Sequence, residues 1–296
     1  MLARLPPTLR QILKVAFAVL VFVVLVGITY QSVATALERR EIERPGRFVD
    51  VGGHQLHIHC QGEGSPIVVL EAAAGSMSAA WGWVQPDVAR LTRVCSYDRA
   101  WLGWSEGGDS GYSAERMVEE LHTLLAGAHE PGPFVLVGHE LGASVVRDFA
   151  SRFGSETAAI VLVDEAGAEA ESLFVRSWPW LARVGLLRTT GALSNLADGL
   201  PRESGDVVRI FLNRPDHLAR AALEVLGVDA AEAESVSRVV DASIPVTSIT
   251  TSSRGRPALL STSEQAEPVT LAIHQALERW REQADGAEAG AGAEAQ

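Results

Sequence analysis

The chain has 296 residues, enough for one large domain or two smaller ones, and 47% of them are hydrophobic, which is ample for a buried core. Its formal net charge at pH 7 is −12, and its isoelectric point lies near 5.2. Nucleic-acid binding requires a basic surface, so an acidic chain of this kind argues against a nucleic-acid partner.

An apolar segment near the N-terminus predicts a membrane anchor within residues 1–36. Val15 to Ile28 is an uninterrupted apolar run, and residues 12–30 approach the roughly 20 residues that span a bilayer as a helix. The alternative is a secretory signal cleaved after Ala36, because Ala34-Thr35-Ala36 has the small-x-small form. Basic residues precede the run, so we expect an extracytoplasmic body, although arginines between 39 and 47 weaken this orientation.

Residues 37–47 are charged and predict a linker, after which strands alternate with helices. Ile67–Glu71 and Ala159–Asp164 are short and mostly apolar, as expected of strands buried on both faces. Alternation at this spacing indicates parallel βαβ units and hence an α/β protein. The other elements predicted in this region are a turn and strand over 52–60, strands over 92–99 and 134–137, and helices over 113–126 and 143–153.

The sequence Val135-Leu136-Val137-Gly138-His139-Glu140-Leu141-Gly142 contains a nucleophile elbow without its nucleophile. In serine hydrolases with an α/β sheet, a Gly-x-Ser-x-Gly turn links a strand to a helix and exposes the serine at its strained apex. Both elbow glycines, Gly138 and Gly142, are present here, whereas the apex residue is Glu140. The turn is therefore predicted to persist without the reactive hydroxyl.

Residues 48–166 resemble the core of the α/β-hydrolase superfamily, in particular a bacterial membrane-anchored branch of it, as a degenerate member. The resemblance covers about residues 30–280 and depends on short matching segments, namely Val51-Gly52-Gly53, Val69-Leu70-Glu71-Ala72, Ser96-Tyr97-Asp98-Arg99-Ala100, Trp104-Ser105, Leu136-Val137-Gly138-His139 and Val161-Leu162-Val163-Asp164. It implies a mostly parallel sheet with flanking helices and a helical cap inserted over the mouth of the site.

The resemblance places that cap at residues 167–240, with the core resuming over 241–281. Cap helices are predicted over 180–187, 207–212 and 217–226, followed by a strand over 245–250 and a final helix over 268–280. Only 17 residues, 251–267, separate these last two elements, so the last strand is expected to be truncated or missing, with 256–260 as its remnant. Residues 282–296 are Ala-, Gly- and Glu-rich and predict a disordered tail.

Acyl transfer on this fold needs a hydroxyl, a histidine, an acid and two oxyanion donors. Residues 251–267 contain no histidine, where the resemblance implies one. Asp164 is a possible acid, although a structural role is the preferred interpretation, and the backbone N–H groups of Ala74 and Leu141 are the predicted oxyanion-hole donors. Trp101 is expected to crowd the entrance. We interpret Glu140 as a carboxylate that occupies the oxyanion hole.

Cys60 and Cys95 lie on strands that the superfamily's strand order would make neighbours, so they are a candidate disulfide; two buried thiols are the alternative. His57 and His59 share a strand face, but no third ligand at metal-like spacing accompanies them, so neither a metal nor another cofactor is expected.

Three functional interpretations remain open. In the preferred one, the chain is a membrane-anchored pseudoenzyme that binds a small hydrophobic ligand or a protein partner. In the second, it is an ester hydrolase with a site rewired around Glu140, with His217 or Asp164 assisting; Glu140 as the nucleophile itself is a variant of this. In the third, it is a relic under little functional demand.

Overall fold

The computed structural model of the chain describes residues 6–41, 43–108, 113–165, 172–236, 238–251 and 259–294. The elements are, in chain order, α1 (Pro7–Glu41), β1 (Arg47–Asp50), β2 (Gln55–Gln61), β3 (Ile67–Glu71), α2 (Gln85–Val88), β4 (Val94–Tyr97), α3 (Ala114–Gly127), β5 (Phe134–His139), α4 (Leu141–Arg152), β6 (Thr157–Val163), α5 (Ser172–Arg183), α6 (Leu186–Thr190), α7 (Arg202–Phe211), α8 (Pro215–Val236), β7 (Val246–Ile249) and α9 (Ser263–Glu294).

The strands form one sheet in the order β1-β2-β4-β3-β5-β6-β7. β1 and β2 pair antiparallel, as do β2 and β4, whereas every pair from β4 to β7 is parallel. This confirms the predicted α/β-hydrolase architecture of a mostly parallel sheet with flanking helices. In the described part of the chain β7 is the edge strand, and residues 252–258, which include most of the predicted remnant of a last strand, lie outside the described residues.

Two apolar clusters cover the two faces of the sheet, because successive strand residues point to opposite sides. Val69 and Leu136 belong to the cluster formed with α3, α4 and the cap helices. Val68 and Val135 belong to the opposite cluster, which includes Val269, Ile273 and Leu277 of α9. The central strands β3, β5 and β6 are thus buried on both faces, which explains why their sequences are mostly continuous apolar runs.

Several predicted boundaries differ from the structure, and the helix predicted over 180–187 is interrupted, because α5 ends at Arg183 and α6 begins at Leu186. α1 extends to Glu41 and β1 begins at Arg47, so the predicted linker 37–47 is helical at its start and its last residue lies in a strand. α4 begins at Leu141, two residues earlier than predicted. The predicted disordered tail, residues 282–296, falls largely on the C-terminal part of α9, which extends to Glu294.

Candidate active site

The elbow lies between β5 and α4, and its apex residue Glu140 has φ 52° and ψ −111°. Positive φ is costly for a residue with a Cβ, so the surrounding packing must hold this turn in place. A Cβ on Gly138 would collide with the carbonyl of Gly142, and one on Gly142 would collide with the carbonyl of Glu71. Both predicted glycines are therefore required by close backbone approach.

The side chain of Glu140 reaches the loop that follows β3. The backbone N–H of Ala74 donates a hydrogen bond to Oε2 of Glu140 at 3.2 Å. Glu140 is 4% exposed, and Ala74 is fully buried. Leu141, the other predicted oxyanion donor, is the first residue of α4 and is also fully buried. A carboxylate oxygen thus accepts from a backbone donor that the oxyanion of an acyl-transfer reaction would need.

A buried ion network that sequence reasoning missed surrounds this loop. The guanidinium of Arg99 forms ion pairs with Glu71 and with Glu224, the latter at 2.7 Å, and donates to the carbonyls of Ala72 and Ala73, each at 2.7 Å. All three charged residues are almost completely buried. The available signals were a glutamate at the end of a buried strand, an Asp-Arg pair after another, and a glutamate on the apolar face of a cap helix.

The charges of this network are mutually dependent. Burial raises the pKa of Glu71 above its usual value, although the neighbouring Arg99 opposes the shift. Burial would also raise the pKa of Glu224, but attraction to Arg99 and Arg220 and a hydrogen bond from the backbone N–H of Gly75 outweigh it and lower that pKa. Arg99 keeps its charge, because burial is outweighed by the two carboxylates and its pKa is raised.

The cap closes over the same loop. Gly75 has φ 67°, and a Cβ placed on it would lie 2.7 Å from the Cβ of Ala221 in α8. α8 also provides Glu224, which accepts from the Gly75 N–H at 2.9 Å. One small surface concavity lies beside the ion network and is lined by residues that include Trp101, Glu120 and Arg220, and another lies around Arg93 and Glu130.

His217 of the cap, the histidine considered for a rewired site, is held as a neutral ring. Its Nδ1 accepts from the backbone N–H of Gly103 at 3.1 Å, and the ring also bonds to the backbone at Gly75. Burial lowers its pKa to about 4, despite the nearby carboxylates of Asp98 and Glu224. A ring with so low a pKa and two backbone partners is a weak general base.

Asp164 follows β6 with φ 49° and connects two strand ends. Its carboxylate accepts from the backbone N–H of Thr251 at 2.6 Å and from the Thr251 hydroxyl at 2.5 Å. His139, the residue before the elbow apex, approaches the same carboxylate at 3.4 Å. This geometry is compatible with the structural role preferred for Asp164, because the contacts fix the residue that follows β7.

The two cysteines face each other in the register between β2 and β4, and the structure joins them as a disulfide. Glu130 lies close enough to form a three-residue cluster with the two sulfur atoms. Sulfur atoms in a disulfide are not thiolate ligands, and Glu130 is already paired with Arg93. This cluster therefore does not have the donors of a metal site while the disulfide is intact.

A strained strand–turn–helix elbow on a mostly parallel sheet, with a loop donor aimed at its apex and a helical cap above, defines the α/β-hydrolase class of protein. Residues 56–290 match the model of the alpha/beta hydrolase family. The chain therefore belongs to that family.

Individual relatives support the fold and leave the activity open. An uncharacterized protein of Schizosaccharomyces pombe is 35% identical over 120 residues, which are 37% of this chain and 22% of that protein. The matches to the first three curated relatives span between 22% and 50% of those relatives' own length.

Two solved structures share the fold at low identity. The enol-lactonase from Burkholderia xenovorans LB400 has a TM-score of 0.58 at 15% identity, covering 78% of this chain and all of that one. A thermophilic esterase from Thermogutta terrifontis has a TM-score of 0.55 at 19% identity, covering 80% of this chain and 99% of that one. At these identities the likeness establishes the fold alone.

Proposed function

We propose that this protein is a membrane-anchored, non-catalytic member of the α/β-hydrolase family that acts by binding. The observation that carries the proposal is the hydrogen bond from the Ala74 N–H to the carboxylate of Glu140. An anion at this position competes with the developing oxyanion of any substrate, and it stands where a serine would have to attack. Loss of the nucleophile alone costs about 10⁶ in turnover in a studied serine protease.

The position of the remaining acid–base groups supports the same conclusion. The sequence between β7 and α9 contains no histidine, and all eight histidines of the chain lie in its described parts. His217 is bound to two backbone groups, and Asp164 to Thr251 and His139. These contacts argue against the alternative of an ester hydrolase rewired around Glu140, because they engage the groups that would have to assist it.

The closed cap limits where a ligand or a partner can bind. Ala74, Leu141 and Ala221 are fully buried, so a small hydrophobic ligand would have to displace α8 before it could occupy the former site. A partner that contacts the outer surface requires no such rearrangement. We therefore favour a surface-bound partner over a ligand in the pocket.

The long apolar helix α1 supports the anchoring part of the proposal. Pro7–Glu38 is long and apolar enough to cross a bilayer, with a mean hydropathy of 2.8 in its most apolar window, and a signal sequence would pass the same test. The intact mass of the mature protein distinguishes the two, since cleavage after Ala36 would remove the helix.

Hydrolysis of activated short-chain esters by the full chain tests the catalytic part. We expect the wild type and Glu140→Gln, a nearly isosteric control, to show the same rate as buffer, and Glu140→Ser to remain inactive and unlabelled by a fluorophosphonate probe. Turnover by the wild type that Glu140→Gln abolishes would refute the proposal. Recovery of activity in Glu140→Ser would also refute it, because it would reveal a working base. A cooperative thermal transition verifies that each variant is folded.

A further inference from the structure

The cap has an outward apolar surface beside the N-terminal helix. Leu173, Phe174 and Trp180 of α5 and Leu186 of α6 are 84%, 43%, 68% and 46% exposed, and these four residues are called the α5–α6 face below. Cap helices that contact only water do not need large apolar side chains at such exposure. A cluster of exposed apolar side chains marks an interaction surface.

The outer stripe of α5 is basic as well as apolar. Leu173, Arg176, Trp180 and Arg183 follow each other at helical spacing and are exposed, whereas Val175, Trp178 and Ala182 on the other side are buried in the cap. The guanidinium of Arg183 lies over the Trp180 ring, 5.2 Å from its centroid. Leucine and tryptophan with arginine on one helix surface are typical of segments that lie in the interface of an anionic membrane.

Contacts between α1 and the cap fix the depth of this surface. A Cβ on Gly27 would collide with the carbonyl of Val184, so the end of α5 touches α1 directly. Gln31 donates to the carbonyl of Asn213 at 2.7 Å, and Arg188 donates to Gln31 at 3.0 Å and pairs with Glu38. These contacts join α1 to α5, α6 and the turn before α8.

The position along α1 at which Val184 is in contact indicates what covers the α5–α6 face. At a rise of about 1.5 Å per residue, residues 12–30 span about 28 Å, close to the hydrocarbon thickness. Gly27 lies about one turn inside the end of that span. Val184 is therefore held near the boundary between hydrocarbon and headgroups, and Trp180 and Leu186 flank it. Tryptophan is enriched at that level of membranes.

We propose that the α5–α6 face lies in the interfacial layer of the bilayer, in contact with anionic lipid headgroups and the upper acyl chains. The inference rests on the proposed anchoring by α1. The cap is then a second membrane contact, which keeps α8 and the closed site next to the bilayer surface instead of free at the end of a tether.

Site-directed spin labelling of the full chain in phosphatidylcholine–phosphatidylglycerol vesicles tests the proposal. Labels are placed at Leu186→Cys and Leu173→Cys on the face, at Phe22→Cys in the middle of α1, and at Leu271→Cys in α9 as a matched exposed leucine. α9 packs on the sheet face opposite the cap. The native cysteines are paired, so the wild type measures background labelling under non-reducing conditions.

We expect labels at 186, 173 and 22 to collide several-fold more with oxygen and several-fold less with a water-soluble nickel chelate than the label at 271. If the label at 22 is exposed to lipid while the labels at 186 and 173 have the same reagent accessibility as the label at 271, the anchoring by α1 stands and the inference about the α5–α6 face fails. If the label at 22 is also accessible to the chelate, anchoring itself fails. Low accessibility of 186 and 173 to both reagents would indicate a protein partner, such as a second copy, and would overturn the bilayer assignment.

Discussion

Glu140 keeps the backbone conformation of a nucleophile elbow, although it has no hydroxyl to expose. The turn persists because Gly138 and Gly142 let β5 and α4 pass against Glu71 and against each other, and this packing does not depend on the side chain at the apex. The carboxylate in turn accepts from Ala74. A side chain without a hydroxyl can thus occupy the apex with the local fold intact, provided that it finds a hydrogen-bond donor.

The pKa of His217 predicts a pH dependence of stability. Burial lowers this pKa from 6.5 to about 4, so protonation favours the unfolded chain, where the value is ordinary. Its contribution to stability is complete above pH 6.5 and is lost as the pH falls toward 4, by about 3 kcal/mol. His57 has a raised pKa and acts in the opposite direction, whereas Glu224 has a lowered pKa and acts in the same direction as His217, so the whole-protein curve mixes several groups.

The difference between the wild type and His217→Asn isolates this contribution, because asparagine retains an acceptor for Gly103. In urea unfolding between pH 7.5 and 4.5, we expect the stability advantage of the wild type to shrink as the pH falls. His274→Asn, at an exposed helical position, is the control and should show a nearly constant difference. A pH-independent difference for His217→Asn would contradict the assigned neutral ring.

The elbow and its donor loop could be predicted from local sequence, whereas the charges around them could not. Two glycines flanking an apex after an apolar run identify the turn, since the pattern is short and steric. The pairing of Arg99 with Glu224 joins residues 125 positions apart and depends on how the cap docks on the sheet. The sequence around Arg99 and the sequence around Glu224 give no indication that the two residues pair.

At the scale of elements, α1 and the cap pack through two glycines. Gly27 leaves room for the backbone of Val184. Gly185 has φ 72°, and a Cβ placed on it would lie 3.2 Å from the carbonyl oxygen of Gly27. The small residues allow close helix approach, and the polar contacts of Gln31 and Arg188 follow from it.

Gly27→Val should separate this contact, because a branched side chain cannot fit against the Val184 carbonyl. We expect a loss of about 1–3 kcal/mol, as for other overpacked sites, measured as a lower thermal midpoint of the full chain in detergent. Ala18→Val, in the same helix at an exposed position, is the control and should have little effect. Equal midpoints for both variants would show that α1 and the cap are not packed as described.

Element types were more predictable than element ends. Apolar runs identify β3, β5 and β6, because these strands are buried on both faces. β1 was missed because Arg47–Asp50 is a short edge strand with one buried residue, which leaves almost no pattern in the sequence. The extent of α9 could not be predicted, because residues 282–294 combine helix-favouring alanine and glutamate with three glycines and contain almost no apolar side chain to bury.

At the scale of the whole molecule, the disulfide and the direction of the anchor must agree. Cys60 and Cys95 join two neighbouring strands and lie 35 positions apart in the sequence. Disulfides persist in oxidising compartments, so an extracytoplasmic body is the orientation compatible with this bond.

Removing the bond by a Cys60→Ala, Cys95→Ala double substitution should cost about 2–4 kcal/mol of unfolding free energy. Thiol alkylation of the protein in its native membrane, before any reduction, should modify neither cysteine of the wild type. Quantitative alkylation there, with an unchanged unfolding midpoint in the double variant, would place the body in a reducing compartment and contradict the orientation.

The docking of α1 on the cap gives the protein a mechanical property. The contacts at Gly27, Gln31 and Arg188 connect α1 to α5 and α6, and α8 of the same cap packs on the loop at Gly75. In the proposed anchoring, tilting of α1, as membranes of different thickness impose, would act on the cap before it reaches the sheet. Lipid composition would therefore adjust how tightly the lid is pressed shut.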